Sequence, residues 1–451
     1  MGKYFGTDGF RGEANVTLKV MDAFKVGRFL GWYYGQKHPG IKCRIVIGKD
    51  TRRSSYMFED ALSAGITASG ADTYLMHVTT TPSVSYITRV DEFDCGVMIS
   101  ASHNPYYDNG IKVINGNGEK LGDDVIEKIE DYLDGKIGEI PLATRDNIGR
   151  TVDYASGRNR YIGYLISLAK NSFKNKHVAL DCANGAAWQI AKPVFDALGA
   201  HVHIMGNDPN GTNINDGVGS THIEALQQFV IAEGCDVGFA YDGDADRCLA
   251  VDEKGHVING DQIMYACGLN MNAAGLLNKN TIVVTVMSNF GLFKAFDRAG
   301  LKYEVTAVGD RFVWENMAEN NYSLGGEQSG HIIFAKYATT GDGILSSIKM
   351  MDVIVESKQN TSKLFEDCPM YPQCLKNIRV SDKDAAMNHA DILAAVDKVA
   401  AELADKGRIL YRPSGTEPLV RVMVEAPTTE ECERYVDEVI EVIRKSGTAC
   451  E

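Results

Sequence analysis

Short apolar runs alternate with longer amphipathic stretches, and the alternation occurs three times along the chain. In the first round, Arg44–Gly48 and Thr73–Val78 read as strands on either side of a helix over Ser54–Ser69. In the second, strands His177–Asp181 and His201–Met205 flank a helix over Ala187–Leu198, and Asp236–Ala240 reads as a further strand. In the third, strands Thr281–Val286 and Tyr303–Thr306 alternate with helices Phe290–Ala299 and Arg311–Asn320. Such alternation predicts mixed, largely parallel sheets covered by helices on both faces. The tail differs. Pro369 and Pro372 mark a linker, followed by a helix over Asp384–Asp405, two strands, and a helix over Thr428–Lys445 whose Thr428 and Glu431 have capping-box spacing. The expected fold class is α/β: three mixed-sheet α/β/α domains related as structural repeats (1–153, 154–254, 255–368) plus a smaller C-terminal α+β domain (373–451).

Each stretch ends on a polar loop with its own chemistry. Val97–Ile99 reads as a buried strand that breaks into Ser100-Ala-Ser-His-Asn-Pro105. Ser102 then stands at a strand's carboxyl end, where open α/β sheets place their chemistry. His103, Asn104 and Lys112 are near enough in sequence to serve a nucleophilic hydroxyl. Taken alone, the segment reads equally well as a Ser/Asn turn capping a following helix. In Tyr241-Asp-Gly-Asp-Ala-Asp-Arg247, three carboxylates at alternate positions between two strand-like runs suit one hard cation such as Mg²⁺. An EF-hand is excluded, because Arg247 stands where that loop needs glycine and the flanks are strand-like rather than helical. Gly325-Gly-Glu-Gln-Ser-Gly-His331 lets the backbone approach a ligand and aims Glu327, Ser329 and His331 at it. In Arg412-Pro-Ser-Gly-Thr-Glu-Pro418, a guanidinium with Ser414, Gly415 and Thr416 forms either a phosphate nest or a polar hairpin turn.

A reactive serine, a magnesium turn, a sugar-hydroxyl loop and a phosphate nest are what phosphoryl transfer on a phosphosugar requires. With these four loops in this order, the chain resembles the α-D-phosphohexomutases essentially from end to end, and Tyr4-Phe-Gly-Thr-Asp-Gly-Phe-Arg-Gly12 matches that family's opening segment. Gln328, Val308–Phe312, Asn213–Asp216 and Gly219–His222 resemble the branch acting on glucosamine phosphates, the alternative being a phosphomannomutase or phosphoglucomutase. The resemblance implies that Ser102 is the phosphoserine and that Asp242, Asp244 and Asp246 hold one Mg²⁺ per chain with it. Arg11, His103, Lys112, Arg247 and His331 would line the transfer site, Lys112 and His331 being candidates for acid and base. Gly309, Asp310, Glu327 and Ser329 would face the sugar, and Arg412, Ser414, Gly415 and Thr416 would bind the distal phosphate. It further implies interconversion of the 6- and 1-phosphates through a 1,6-bisphosphate, with glucosamine or glucose 1,6-bisphosphate as activator. A homodimer through the first domain also follows from it, and the need to keep water from a phosphoserine leads to the expectation that the C-terminal domain closes over the cleft. Two departures stand out. Phe10 replaces a smaller residue, and Ala245 replaces a common glycine, which is tolerable if its φ is negative.

Composition narrows the setting. With 44% hydrophobic and 24% charged residues, the 451-residue chain suits several soluble cores, and a net charge of −14 argues against nucleic acid or an anionic membrane as partner. The same charge requires the basic residues to gather around an anionic phosphosugar substrate. Ten scattered cysteines, several in apolar runs, suit a reducing cytoplasm, and Cys368 and Cys374 lack partners for a zinc site. No apolar run approaches a membrane span, and the first residues lack a signal peptide's apolar core. A phosphatase has no use for a second phosphate site, and a silent scaffold has none for the Ser102, aspartate, Lys112 and His331 set.

Overall fold

A computed structural model describes residues 2–6, 8–37, 40–414 and 417–450. The chain forms two compact units, one of residues 1–287 and 301–366, the other of 288–300 and 367–451. All ten cysteines are free. Among the described residues no helix is long and apolar enough to cross a membrane.

The larger unit holds three sheets built on one plan. In the first, Arg44–Lys49 lies between the parallel strands Asp72–Val78 and Cys95–Ile99, and Asp108–Asn115 then pairs antiparallel with Cys95–Ile99. His177–Asp181, His201–Met205, Val237–Tyr241 and Cys248–Asp252 repeat that order and those directions. Thr281–Thr285, Lys302–Thr306, Leu324–Gly326 and Ile332–Phe334 repeat them again. Parallel neighbours need a long crossover, whereas the fourth strand returns by a short loop. That loop carries Ser102 in the first sheet, the three aspartates in the second and Glu327 in the third. The predicted threefold repeat is thus present, and each chemical loop occupies the same topological position.

Strands Cys95–Ile99, Val237–Tyr241 and Thr281–Thr285 are buried throughout, as expected for parallel strands covered on both faces. The first sheet shows the two faces directly. Ile45, Ile47, Val97 and Ile99 join a core with Phe29, Leu62 and Ile66 from helices Val20–Gly35 and Arg53–Ala68. The alternate residues Val46 and Met98 join Val84 and Ile87 of helix Thr81–Val90 on the other face.

Two predicted helices are broken. The one expected over 187–198 is a 3₁₀ turn, Ala186–Gln189, followed by helix Ala191–Ala197. Pro193 has no N–H to continue a ladder from the preceding turn, so it sits in the first turn of a new helix. The one expected over 384–405 is divided into Lys383–Met387 and Ala390–Leu403. There the Asn388 side chain bonds the Asp384 carbonyl and His389 turns extended.

The smaller unit is a three-stranded antiparallel sheet with Leu419–Glu425 at its centre, between Gln373–Arg379 and Arg408–Pro413. Gln373–Arg379 was not anticipated, because its residues read as linker. Helix Phe290–Ala299 belongs to this unit: the buried Glu425 accepts from the Phe290 N–H at 2.9 Å and Arg408 Nε at 2.6 Å. Thr428 caps helix Thr429–Lys445 through the Glu431 N–H at 3.2 Å, as its spacing predicted.

In the larger unit Asp342 caps helix Gly343–Ser357 by accepting from the Leu345 N–H at 2.9 Å, and it accepts the Tyr161 hydroxyl at 2.6 Å. Burial pushes its pKa up to about 6 from 3.8. The folded chain therefore holds a proton that the unfolded chain loses between those values, and this carboxyl costs stability as pH rises through that window. Asp342→Asn retains the cap and removes the cost. The Tm of the variant relative to the native chain is expected to climb from pH 4 to pH 6 and then level, by an amount equivalent to about 3 kcal/mol. Parallel melting curves of the two proteins between pH 4 and 7.5 check this.

Candidate active site

Ser102 follows its buried strand in a left-handed conformation, φ 52°, and is 1% exposed. No helix follows; the chain runs directly into strand Asp108–Asn115, so the capping reading fails. Its hydroxyl donates to Asp242 Oδ2 at 2.5 Å and lies 3.3 Å from His103 Nδ1. The aspartate turn approaches closely because Gly243 lacks a side chain: a Cβ there would stand 2.4 Å from the Ser102 carbonyl oxygen. Ala245 has φ 56°, so the condition of a negative φ for tolerating its methyl is not met. Its N–H bonds the Asp242 carbonyl and its carbonyl accepts from Gly343, and these bonds hold alanine in a region glycine would enter freely.

Asp242, Asp244 and Asp246 are all buried, with one oxygen from each lying within 4.8 Å of the others. Lys112, from the strand paired with the one before Ser102, counters them, its Nζ 2.7 Å from Asp244 Oδ2 and 3.3 Å from Asp246 Oδ2. Thr81 Oγ1 donates to the same Asp244 oxygen at 2.5 Å. Burial and the two neighbouring carboxylates push Asp242 well above the usual carboxylate range. Burial would do the same to Asp246, but Lys112, His331 and Arg247 hold it below. Burial likewise opposes the charge on Lys112, yet Asp244, Asp8 and Asp246 keep its proton on far above the ordinary lysine value. Among the described residues, Asp244 Oδ1 and Asp246 Oδ1 are buried without a hydrogen-bond partner. Three carboxylates with one oxygen each drawn together, two of them with an oxygen that makes no hydrogen bond, fit a hard divalent cation bound by Asp242, Asp244 and Asp246, with the Ser102 hydroxyl alongside.

The remaining predicted residues of this unit surround the same place. Arg247 Nη1 lies 3.4 Å from His103 Nδ1. Burial, with the charges of Arg247 and Arg11, pushes the His103 pKa down to about 4, so the imidazole is neutral at pH 7. Arg11 donates to the Ala101 carbonyl at 3.3 Å and pairs with Asp8. His331 Nε2 accepts from the Gly341 N–H at 3.2 Å and stands 3.3 Å from Asp310 Oδ2. Glu327 Oε1 accepts from the Gly309 N–H at 3.0 Å, while Ser329 is exposed at the hairpin tip. A cleft of about 420 Å³ is lined by Asp8, Arg11, Arg247, Asp310, Glu327 and His331.

Sequence reasoning missed Asp8 and Lys120. Asp8 lies 3.2 Å from Lys112 Nζ and 2.7 Å from Lys120 Nζ, and Lys120 reaches Asp310 Oδ2 at 2.6 Å. Charges of alternating sign thus run from the aspartate turn to the sugar loop. Asp8 stands inside the opening segment already singled out, whereas nothing local marks Lys120.

In the smaller unit Arg412 faces Arg421 across the antiparallel pair, and Arg421 Nη2 lies 3.5 Å from Ser414 Oγ. Burial and Arg421 pull the Arg412 pKa down. Like charges opposite one another are unfavourable, and among the described residues the buried Arg421 Nε has no hydrogen-bond partner. An anion there would offset the repulsion and serve Arg421. Arg421 was not anticipated; Gly415 and Thr416 lie outside the described residues.

Four family models match in succession: phosphoglucomutase/phosphomannomutase domain I over residues 2–137, domain II over 159–255, domain III over 259–371 and the C-terminal domain over 375–442. A phosphoglucosamine mutase of Lachnospira eligens is 65% identical, the match covering 100% of both chains, and one of Oceanobacillus iheyensis is 49% identical over 99% of both. The chain belongs to the phosphoglucosamine mutase family. The fold agrees. A phosphoglucomutase/phosphomannomutase family protein of Burkholderia thailandensis superposes with a TM-score of 0.80 at 21% identity, covering 99% of this chain and 98% of that one. An Aspergillus fumigatus N-acetylphosphoglucosamine mutase, solved in complex with GlcNAc-6P and magnesium, superposes with a TM-score of 0.70 at 18% identity over 99% and 96%. This membership corresponds to the resemblance already drawn from the four loops.

Lys112 serves as counter-ion to the aspartates, so its loss should expose their repulsion. Lys112→Met is expected to lower the Tm in chelator, consistent with a cost of about 3–5 kcal/mol for an unpaired buried charge. Mg²⁺ should then raise the variant's Tm more than the native chain's, and its affinity, read by titration calorimetry, should increase at least about tenfold, or about 1.4 kcal/mol.

Proposed function

We propose that the chain interconverts glucosamine 6-phosphate and glucosamine 1-phosphate, with Ser102 carrying the phosphoryl group. The observation that carries this reading is the Ser102 hydroxyl set on Asp242 beside two further buried aspartates and Lys112. Phosphoserine gives its phosphoryl group to the free C1 hydroxyl of glucosamine 6-phosphate. The new P–O bond forms there as the bond to Ser102 Oγ breaks, leaving a 1,6-bisphosphate. The bisphosphate turns end over end, and its 6-phosphoryl group returns to Ser102. Asp242, Asp244, Asp246 and Ser102 would hold Mg²⁺, which would supply charge withdrawal from the transferring group. Lys112, Arg11 and Arg247 stabilise the equatorial oxygens. Lys112, held protonated, suits the acid role at Ser102 Oγ, and His331 is the candidate base for the attacking hydroxyl. Glu327, with Gly309, Asp310 and Ser329, grips the sugar, while Arg412, Ser414 and Arg421, with Gly415 and Thr416, hold the phosphate that is not reacting.

The same reading assigns one Mg²⁺ per chain, glucosamine or glucose 1,6-bisphosphate as activator, a cytoplasmic setting, no nucleic-acid partner and a homodimer. It divides the chain at 1–153, 154–254, 255–368 and 373–451, one chemical loop to each part.

Turnover of glucosamine 6-phosphate is expected to exceed that of glucose 6-phosphate and mannose 6-phosphate, and Ser102→Ala should abolish it while leaving the Tm within a few degrees. A preference for the neutral sugars would move the chain to the phosphomannomutase/phosphoglucomutase reading, and release of inorganic phosphate as main product would overturn the mutase. Arg421→Ala should raise the KM for the sugar phosphate about tenfold or more, since a charge-assisted bond contributes about 1.5–3 kcal/mol.

A further inference from the structure

Arg52 is fully buried and its guanidinium makes no contact with the cleft; all its donors serve the chain itself. Nη2 donates to the Ser102 carbonyl at 3.0 Å and the Asn104 carbonyl at 2.9 Å, and Nη1 to the carbonyls of Asp108, at 3.2 Å, and Pro105. Nε donates to Asp50 Oδ2 at 2.8 Å, which exhausts the five N–H groups of an arginine. Asp50, also fully buried, accepts the Ser100 hydroxyl at 2.7 Å, and Ser100 Oγ in turn accepts the Ser102 N–H at 2.9 Å. Both backbone polar groups of Ser102 are therefore tied to one buried ion pair.

The second sheet supplies another clasp. Asn215, in the Asn213–Asp216 segment that marked the glucosamine branch in sequence, donates from Nδ2 to the Ser102 carbonyl at 2.9 Å and the Asn104 carbonyl at 3.2 Å. Its own φ is 58°, and its N–H is held by the Ala183 carbonyl at 2.9 Å. An arginine at the start of a first-repeat helix and an asparagine in a second-repeat turn thus converge on the same two carbonyls of the loop that presents Ser102 in a left-handed conformation.

We propose that Arg52 and Asn215 are positioning residues that jointly clamp the Ser102 loop, so that its hydroxyl stays aimed at the aspartate turn while the phosphoryl group comes and goes. The proposal rests on the reading of Ser102 as phosphoryl carrier. A serine that alternates between free hydroxyl and phosphate dianion meets a different electrostatic pull in each state. With its backbone fixed from both ends, the nucleophile does not follow that pull, and displacements of about an ångström matter at this stage of a reaction. Since neither residue has a donor directed at the cleft, their loss should act on the transfer step and leave sugar binding nearly unchanged.

The test uses Asn215→Ala, Asn215→Asp and Arg52→Lys in the full chain. Lysine keeps a charge for Asp50 but lacks the planar fork that spans four carbonyls. The first readout needs no substrate: hydrogen exchange of the amides of residues 100–104 and 106 should quicken at least tenfold in Asn215→Ala, with the rest of the larger unit unchanged. In the Mg²⁺-loaded, Ser102-phosphorylated protein, kcat should fall 10- to 100-fold while KM for glucosamine 6-phosphate stays within threefold. A purely structural role predicts a lower Tm with kcat per folded molecule intact. Native exchange rates in the loop, or a kcat within twofold of the native chain in folded Asn215→Ala, would overturn the clamp. Should Arg52→Lys fail to fold, the two Asn215 variants decide. Failure of the native chain to turn over glucosamine 6-phosphate would refute the proposed activity, and the exchange measurement would still judge the clamp.

Discussion

Three buried carboxylates sharing one small space beside a serine hydroxyl form the constraint on which the rest of this molecule depends. At the separations seen here, each pair of like charges repels by about 3 kcal/mol even at an effective dielectric constant near 20. Lys112 offsets part of that repulsion through Asp244 and Asp246, while burial, together with the two neighbouring carboxylates, displaces Asp242 upward. A turn so loaded keeps its shape because backbone bonds pin it from several directions. The Thr81 N–H binds the Asp244 carbonyl, the Gly343 N–H the Ala245 carbonyl, and the Ala186 N–H the Gly243 carbonyl. Two of the carboxylate oxygens nonetheless make no hydrogen bond among the described residues, as suits a site that could take a cation.

The threefold repeat explains how so concentrated a site is assembled from segments far apart in sequence. Each copy sets two parallel crossovers and then a short antiparallel return, and the return is the place where a loop can vary without disturbing the sheet. One copy carries Ser102 there, the next the three aspartates, the third Glu327 and His331. The neighbouring strand of the first copy adds Lys112, and the helix after the third adds the backbone of Gly341 and Gly343. A Cβ at Gly341 would stand 2.6 Å from His331 Nε2 and 2.7 Å from the Asp246 carbonyl oxygen, so this approach is open only to glycine.

The acidic net charge and the anionic substrate are reconciled locally. Arg11, Lys112, Lys120 and Arg247 are gathered at the cleft, each beside a carboxylate. Chains such as Lys112–Asp8–Lys120–Asp310 hold the cations in place before a phosphosugar arrives. Preorganised charge of this kind needs little rearrangement during the reaction.

Apolar runs bounded by turn residues were enough to place His177–Asp181 and Phe290–Ala299, because burial and local signals agreed there. The four loops were legible for a related reason: each packs its chemistry into a few consecutive residues. Breaks at Pro193 and Asn388 were overlooked because periodicity continued across them, and Gln373–Arg379 because a strand at a sheet edge needs only partial apolar character. The left-handed backbone of Ala245 was not legible in sequence because it is held by bonds to Asp242 and Gly343, the latter remote in sequence. Asp8, Lys120, Arg52, Asn215 and Arg421 have ordinary sequence surroundings. Their roles come from partners on other strands or in other sheets, and only the tertiary structure, by bringing those segments within hydrogen-bonding distance, decided what they do.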